Sequence, residues 1–334
     1  MIAPIFIVGC PRSGTTLLRN LLRSHPHLSF PDETHFIPQI YKAYGDPANE
    51  QEARRLTEVL LQLRWVRRWK CDFDETALIA CRSYAAMVDV LFQTWARKEG
   101  KPRWGDKTPE NVLHMHTLGT IFPQARFIHV YRDGRDVARS LINSPFGPEN
   151  WFAAALLWQA RVQAGRQAGA ALPEGMYTEV RYETLLNDLE TTLRKVCEFV
   201  EEPFDPAILA QNVLPFEKRV HRVAAFRPYS RGYNGQSIIV RDNANKWKTK
   251  VTLKQRIVFE SVAGELLREL GYETEGHGKR IPAYARWGWK AHSWMMENLV
   301  KLNTQTWKDL TATVVQMSQA RIRAKLRTRL RRTS

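Results

Sequence analysis

PIFIVGCPRSGTTLLRNLLRS, residues 4–24, contains the first strand, the first loop and the first helix of the chain. Pro4 to Val8 is a short, largely β-branched apolar run that stops at Gly9, and it reads as a buried parallel strand. Leu17, Leu18, Leu21 and Leu22 recur at helical spacing over Thr15 to Ser24. Between strand and helix stand Gly9, Cys10, Pro11, Arg12, Ser13, Gly14, Thr15 and Thr16, in the position where backbone amides converge on an anion at a helix N-terminus. The loop approaches the triphosphate-binding pattern G-x-x-x-x-G-K-S/T, with Gly9, Gly14 and Thr16 in register, but Thr15 stands where that pattern has lysine. That lysine serves the β- and γ-phosphates, so its absence argues against a kinase or ATPase. Arg12 supplies instead a planar, permanently charged fork suited to a bridging oxygen and a leaving phosphate. The plainer alternative is a tight turn in which Ser13 and Thr15 only cap the helix.

Working outward, Ala125 to Tyr131 and Met176 to Arg181 repeat the apolar-strand signature. Helical spacing runs through Thr76 to Lys98, Trp151 to Ala168, Thr184 to Val200 and Leu253 to Leu270. Strands alternating with helices predict a P-loop-type, three-layer α/β/α domain with a central parallel sheet. In such sheets ligands lie beyond the carboxyl ends of the strands, where Gly9 and Arg132 fall.

With 334 residues and 44% hydrophobic content, the chain can bury a large core, and no run reaches the ~20 apolar residues of a spanning helix. The N-terminus has no basic flank or cleavage site, so the expected chain starts at Met1 and stays in the cytoplasm. Cys10, Cys71, Cys81 and Cys197 lack metal-ligand spacing and read as buried thiols, without disulfide or zinc. The net charge of +16 is uneven: from Lys279 onward thirteen Lys and Arg stand against Glu297 and Asp309. That distribution points away from nucleic acid and toward a small polyanionic ligand for the body. A Gly, Pro and His cluster at Gly276 to Pro282 divides a domain of residues 1–275 from a basic, helical extension of 276–334 that carries Trp287, Trp289, Trp294 and Trp307. In Gln316 to Arg332, Ile322, Leu326 and Leu330 form a narrow apolar line among basic residues. Such a helix suits peripheral contact with an anionic membrane, or is simply a solvated tail.

The segment Phe127 to Ser140 (FIHVYRDGRDVARS) places a second anion site at a second strand end: Arg132 leaves the strand, and Ser140 follows about two turns into the next helix. Two such sites side by side imply a ligand with two separated phosphate groups. Together the two motifs resemble those of the sulfotransferase family that uses 3'-phosphoadenylyl sulfate (PAPS). Gly9 to Thr16 is similar to its 5'-phosphosulfate loop and Arg132 to Ser140 to its 3'-phosphate motif, over nearly all of Pro4 to Thr252. The resemblance continues in Val180 to Leu185, which implies that Tyr182 contacts the adenine, and in Asn245 to Lys248, which adds Lys246 and Trp247 to the donor side. The run from Cys10 through His25-Pro26 to Asp32-Glu33-Thr34-His35-Phe36-Ile37-Pro38 is similar to the tyrosylprotein branch, and by that likeness Glu33 is the catalytic base. Lys107, in Trp104 to Pro109 after another short strand-like run, looks like the family lysine that holds the sulfuryl group.

Small-molecule sulfotransferases of the cytosol carry a histidine base two residues after that lysine; Pro109 stands there in this chain. His27, His35 and His114 remain as reserve bases. The resemblance therefore implies sulfuryl transfer from PAPS to a hydroxyl, with Arg12, Glu33 and Lys107 catalytic, and Pro11, Arg12, Ser13, Gly14, Thr15, Thr16, Arg132, Ser140, Tyr182, Lys246 and Trp247 holding the donor. No metal is expected. The acceptor, whether glycan, lipid, small molecule or tyrosine, and the oligomeric state are open. The rival readings are a nucleotide kinase and a non-catalytic, membrane-associated adapter with a nucleotide pocket.

Overall fold

The computed structural model describes residues 3–144, 147–210 and 243–275; the expected extension over 276–334 lies outside them. Five strands form one parallel sheet: β1 (Ile5–Gly9), β2 (Leu28–Ser29), β3 (Arg103–Lys107), β4 (Arg126–Tyr131) and β5 (Tyr177–Arg181), in the order β2-β3-β1-β4-β5. The chain begins at the centre, builds β2 and β3 on one side, then crosses to β4 and β5. The strand order thus reverses beside β1, and ligand sites belong at the carboxyl end of such a switch.

The helices of the described residues are α1 (Thr15–Arg23), α2 (Ile37–Tyr44), α3 (Glu50–Gln62), α4 (Arg64–Arg68), α5 (Glu75–Ala80), α6 (Tyr84–Lys98), α7 (Met115–Ile121), α8 (Gly134–Ile142), α9 (Trp151–Ala171), α10 (Tyr182–Asn187), α11 (Leu189–Phe199), α12 (Trp247–Lys250) and α13 (Leu253–Glu269). Short 3-10 helices occupy Pro109–His114 and Pro206–Ala210. Alternation along each strand sorts the core into two faces. Ile5, Ile7, Ile128, Val130 and Val180 pack against α1, α10 and α11, whereas Phe6, Val8 and Phe127 face the aromatic and aliphatic side chains of α2, α3, α6 and α7. A third cluster joins α8, α9 and α13 around Trp158 and Phe259. The sheet is covered on both sides, as the alternating pattern predicts.

Two predicted helices are each a pair. Thr76 to Lys98 breaks before Ser83, whose Oγ accepts the Ala86 N–H and starts α6 afresh. Thr184 to Val200 breaks at Asp188, which caps α11 through the Thr191 N–H. In both, a short polar side chain satisfies orphan amides better at a cap than within a helix. All four cysteines are free; Cys10 and Cys197 are buried, whereas Cys71 and Cys81 are half-buried. No helix of the described residues is long and apolar enough to cross a membrane.

Close packing of α9 on the sheet depends on Gly165. A Cβ there would come within 2.5 Å of the His129 ring on β4. Burial holds His129 down at about 3, so the ring is neutral, and its Nδ1 lies 2.8 Å from the Tyr177 hydroxyl. Gly165→Ala is expected to destabilise the fold by about 1–3 kcal/mol through overpacking, read as a lower melting temperature with unchanged helix content.

Candidate active site

β1, β3, β4 and β5 end along one rim of the sheet, and the residues that follow each end meet there. After β1, Arg12 at φ 72° and Gly14 at φ 99° bend the chain into the loop, with the Ser13 N–H closing a turn on the Cys10 carbonyl at 3.2 Å. Glycine is required at position 14, because φ there is left-handed and a Cβ would overlap the Tyr182 ring. Gly14 caps α1 without any side-chain hydrogen bond; the Leu17 N–H donates to the Gly14 carbonyl at 2.9 Å, so Thr15 and Thr16 carry the first-turn amides suited to an anion. Ser13 is wholly buried and its Oγ has no hydrogen-bond partner, a polar atom that a bound anion would satisfy. Thr15 is buried at the helix start and Pro11 half-buried in the loop. The Cys10 thiol is pushed up to about 12 by burial, which removes it as a nucleophile at neutral pH.

Arg12 reaches out of this loop, and its Nε donates to Ser140 Oγ at 2.9 Å, joining the first motif to the second. Ser140 sits in the second turn of α8, a helix started by Asp133, whose carboxylate accepts the Arg135 N–H. Arg132, just beyond β4, is buried; its Nη2 donates to Asp136 Oδ2 at 3.0 Å and to the Asn243 carbonyl. Its guanidinium lies 4.5 Å from the Tyr182 ring centroid, and its buried Nε has no partner, so one donor is still available.

Asn243 ties this cluster together. Its Nδ2 donates to the Tyr182 hydroxyl and its Oδ1 accepts from Lys246 Nζ, both at 2.7 Å. Asp136 also accepts the Trp247 backbone N–H at 2.7 Å. Trp247 itself is buried, with the Arg135 guanidinium 3.3 Å from its ring centroid, so its indole packs residues 243–250, a strap across the end of the second motif, onto α8. Nothing in the composition around Asn243 marks it, and Asp136, though inside the quoted second motif, carries no role from sequence alone.

At the end of β3, Lys107 is buried and forms an ion pair with Glu33 Oε1, while Nζ also donates to Thr16 Oγ1 at 3.2 Å. The second Glu33 oxygen, Oε2, lies 3.3 Å from His35 Nε2. Burial works to raise the Glu33 pKa, but the His35 hydrogen bond and Lys107 outweigh it and hold the carboxyl at about 2. Glu33 is therefore ionised across the physiological range. Thr34, between the two, is clamped from below: its N–H donates to Thr108 Oγ1 at 3.1 Å and its hydroxyl to Asp106 Oδ1 at 2.8 Å. Asp106 is buried and also accepts from Thr108 and Asn111, which fixes the loop bearing Glu33.

Of the reserve histidines only His35 touches Glu33. His27 pairs with Glu202 at 2.8 Å beside the start of β2 and β3, at the opposite end of the strands. His114 Nδ1 lies 3.3 Å from Lys42 Nζ, and burial with that neighbouring cation lowers its pKa. His25 forms a three-residue group with His27 and Glu202. It accepts the His27 N–H at Nδ1 and so donates through Nε2 to the Pro203 carbonyl, which commits both ring nitrogens.

Residues 4–206 match the family model described as the sulfotransferase family. The chain is 28% identical over 216 residues to protein-tyrosine sulfotransferase A of Caenorhabditis elegans, covering 63% of this chain and 53% of that protein. It is 24% identical over 327 residues to the protein-tyrosine sulfotransferase of Drosophila melanogaster, covering 94% and 59% respectively. The chain thus spans little more than half the length of these relatives. Among solved structures, the sulfotransferase domain of the Synechococcus PCC 7002 olefin synthase superposes with a TM-score of 0.52 at 22% identity, covering 82% of this chain and 97% of that one, a likeness of fold.

Proposed function

The chain belongs to the sulfotransferase family, and from that premise we propose that it moves a sulfuryl group from PAPS to the hydroxyl of an acceptor. The observation that carries the reading is the hydrogen bond from Arg12 to Ser140, because it joins the loop proposed for the 5'-phosphosulfate to the helix proposed for the 3'-phosphate. The uncapped α1 amides, the unpartnered Ser13 hydroxyl and the spare Arg132 Nε fit two separated anionic groups. Tyr182, buried between Gly14 and Arg132, lies on the proposed adenine side of the donor, and Lys246 stands beside it through Asn243.

In this mechanism the acceptor oxygen attacks sulfur, its proton passes to Glu33, and the bridging S–O bond breaks with its electron pair left on the 5'-phosphate. Arg12 and the loop amides meet the charge that grows on that leaving oxygen, and Lys107 steadies the transferring group. The tyrosylprotein relatives suggest a phenolic acceptor; the half-exposed Trp65 near His35 is compatible with one.

Calorimetry with adenosine 3',5'-bisphosphate tests the donor, and labelled PAPS incubated with whole-cell extract tests transfer and identifies the product. Tight binding of ATP with magnesium, and none of the bisphosphate, would return the site to the kinase class. Arg12→Ala is expected to lower transfer by about 10²–10³-fold, the usual loss when one donor to a developing oxyanion is removed.

A further inference from the structure

Glu33 is held on both oxygens, and the second partner is not required by the chemistry described so far. His35 reaches Glu33 Oε2 with a backbone φ of 57°, a left-handed conformation that a residue with a Cβ holds only where its surroundings impose it. The surroundings do so here. Thr34 is pinned at both its amide and its hydroxyl to Thr108 and Asp106, and the turn at residue 35 brings the imidazole back toward the carboxylate two positions earlier.

We propose that His35 is a positioning residue for the transfer reaction, whose Nε2–H holds Oε2 of Glu33 and whose charge sets how strongly that carboxylate draws a proton; this rests on the sulfotransferase reading above. The acceptor O–H bond breaks, its electron pair forms the new O–S bond, and its proton joins a Glu33 oxygen. That proton then leaves Glu33 to water at its partly exposed carboxyl, while the Nε2–H of His35 stays on Oε2. Glu33 returns to the carboxylate that its partners favour. The groups facing His35 are Glu33 on its own loop, Asp106 on β3, Glu110 on the 3-10 helix Pro109–His114, and Trp65 on α4 with Arg64 over it at 5.5 Å; Lys107 stands on the other Glu33 oxygen. Burial disfavours the imidazolium, but the Glu33 hydrogen bond and charge, with Glu110 and Asp106 behind them, raise the His35 pKa above its ordinary value of 6.5. The charged ring draws on Oε2 more strongly than the neutral one and makes Glu33 the weaker base, so turnover rises with pH through the His35 midpoint.

Two measurements on the full chain decide it. In the first, the His35 ring is titrated by NMR: its midpoint is expected above 6.5 and should fall by about one unit or more in Glu33→Gln. An unmoved midpoint overturns the coupling. In the second, release of adenosine 3',5'-bisphosphate from PAPS is followed from pH 5 to 9 with 4-nitrophenol and water as acceptors. The wild-type rate should carry an acid limb at the NMR midpoint, and His35→Gln, which keeps a neutral hydrogen-bond donor near Oε2, should lose that limb while retaining most of the plateau rate. A His35→Gln profile with the limb in place assigns the ring a structural part only and overturns the proposal. A wild-type chain that neither binds the bisphosphate nor releases it contradicts the sulfotransferase reading instead, and the NMR titration still decides whether Glu33 and His35 are coupled.

Discussion

Glu33→Gln is expected to lower sulfuryl transfer about 10²–10⁴-fold, the usual contribution of a positioned general base, while leaving binding of adenosine 3',5'-bisphosphate intact or tighter. Both halves follow from the Glu33–Lys107 ion pair. The variant keeps the shape of the side chain and removes the oxygen that accepts the proton. It also frees Lys107 from a carboxylate that competes with the anionic donor for the same ammonium. Transfer of label from PAPS to extract components measures the first effect, and calorimetry with the bisphosphate the second. Turnover near the wild-type level would remove Glu33 as the base, and a profile that then depended on the ring at position 35 would move the role to His35. The same substitution has a signature in stability. A carboxyl held at about 2 in the folded chain against 4.5 otherwise contributes stability that is present above pH 4.5 and lost as pH falls toward 2. Melting temperatures across that window should therefore fall less steeply for Glu33→Gln than for the wild type.

The parts of this site legible in the sequence are those whose local chemistry declares itself. β1 and β4 are apolar runs followed by a glycine and an arginine, and the Gly9 to Thr16 loop stands out through Arg12 and the absent lysine; β5, expected as a buried strand, is instead mixed in composition and only Val180 in it is buried, because Tyr177, Thr178, Glu179 and Arg181 lie at the edge of the sheet. β2 escapes notice because two residues carry no periodicity; its place is fixed by pairing with β3 and by Lys101 donating to the Leu28 carbonyl at 2.9 Å. The meeting of Lys107 with Glu33, 74 positions apart, is a product of strand order, which no local pattern encodes. Asn243 and Asp106 are invisible for a different reason. An asparagine or aspartate in a polar neighbourhood reads as solvated, and only tertiary packing shows Asp106 buried under three hydrogen bonds. Trp247 marks the opposite ambiguity: its type suits a ligand face or a core, and it lies in the packing under Arg135.

Arg135 underlies the second large expected effect, on stability and through it on the donor side. Its side chain is 0% exposed, donates to Asp133 through Nε and Nη2 at 3.0 and 2.7 Å and to Glu260 on α13 through Nη1 at 2.8 Å, and stacks on Trp247. Arg135→Ala leaves two carboxylates buried without their cation, a change that typically costs about 3–5 kcal/mol. Arg135→Lys should recover little, since one ammonium can neither fork across Asp133 nor lie flat on an indole while reaching Glu260. The consequence extends to the strap. Trp247 is held by this guanidinium and by the Asp136 carboxylate, and the same short segment carries Asn243 and Lys246 against Tyr182 and Arg132. Both variants should therefore melt well below the wild type. At a temperature where Arg135→Lys remains folded by circular dichroism, it should bind adenosine 3',5'-bisphosphate more weakly than the wild type. A lysine variant with wild-type melting and wild-type affinity would mean that Asp133 and Glu260 find other partners, and that the strap is held by Asp136 alone.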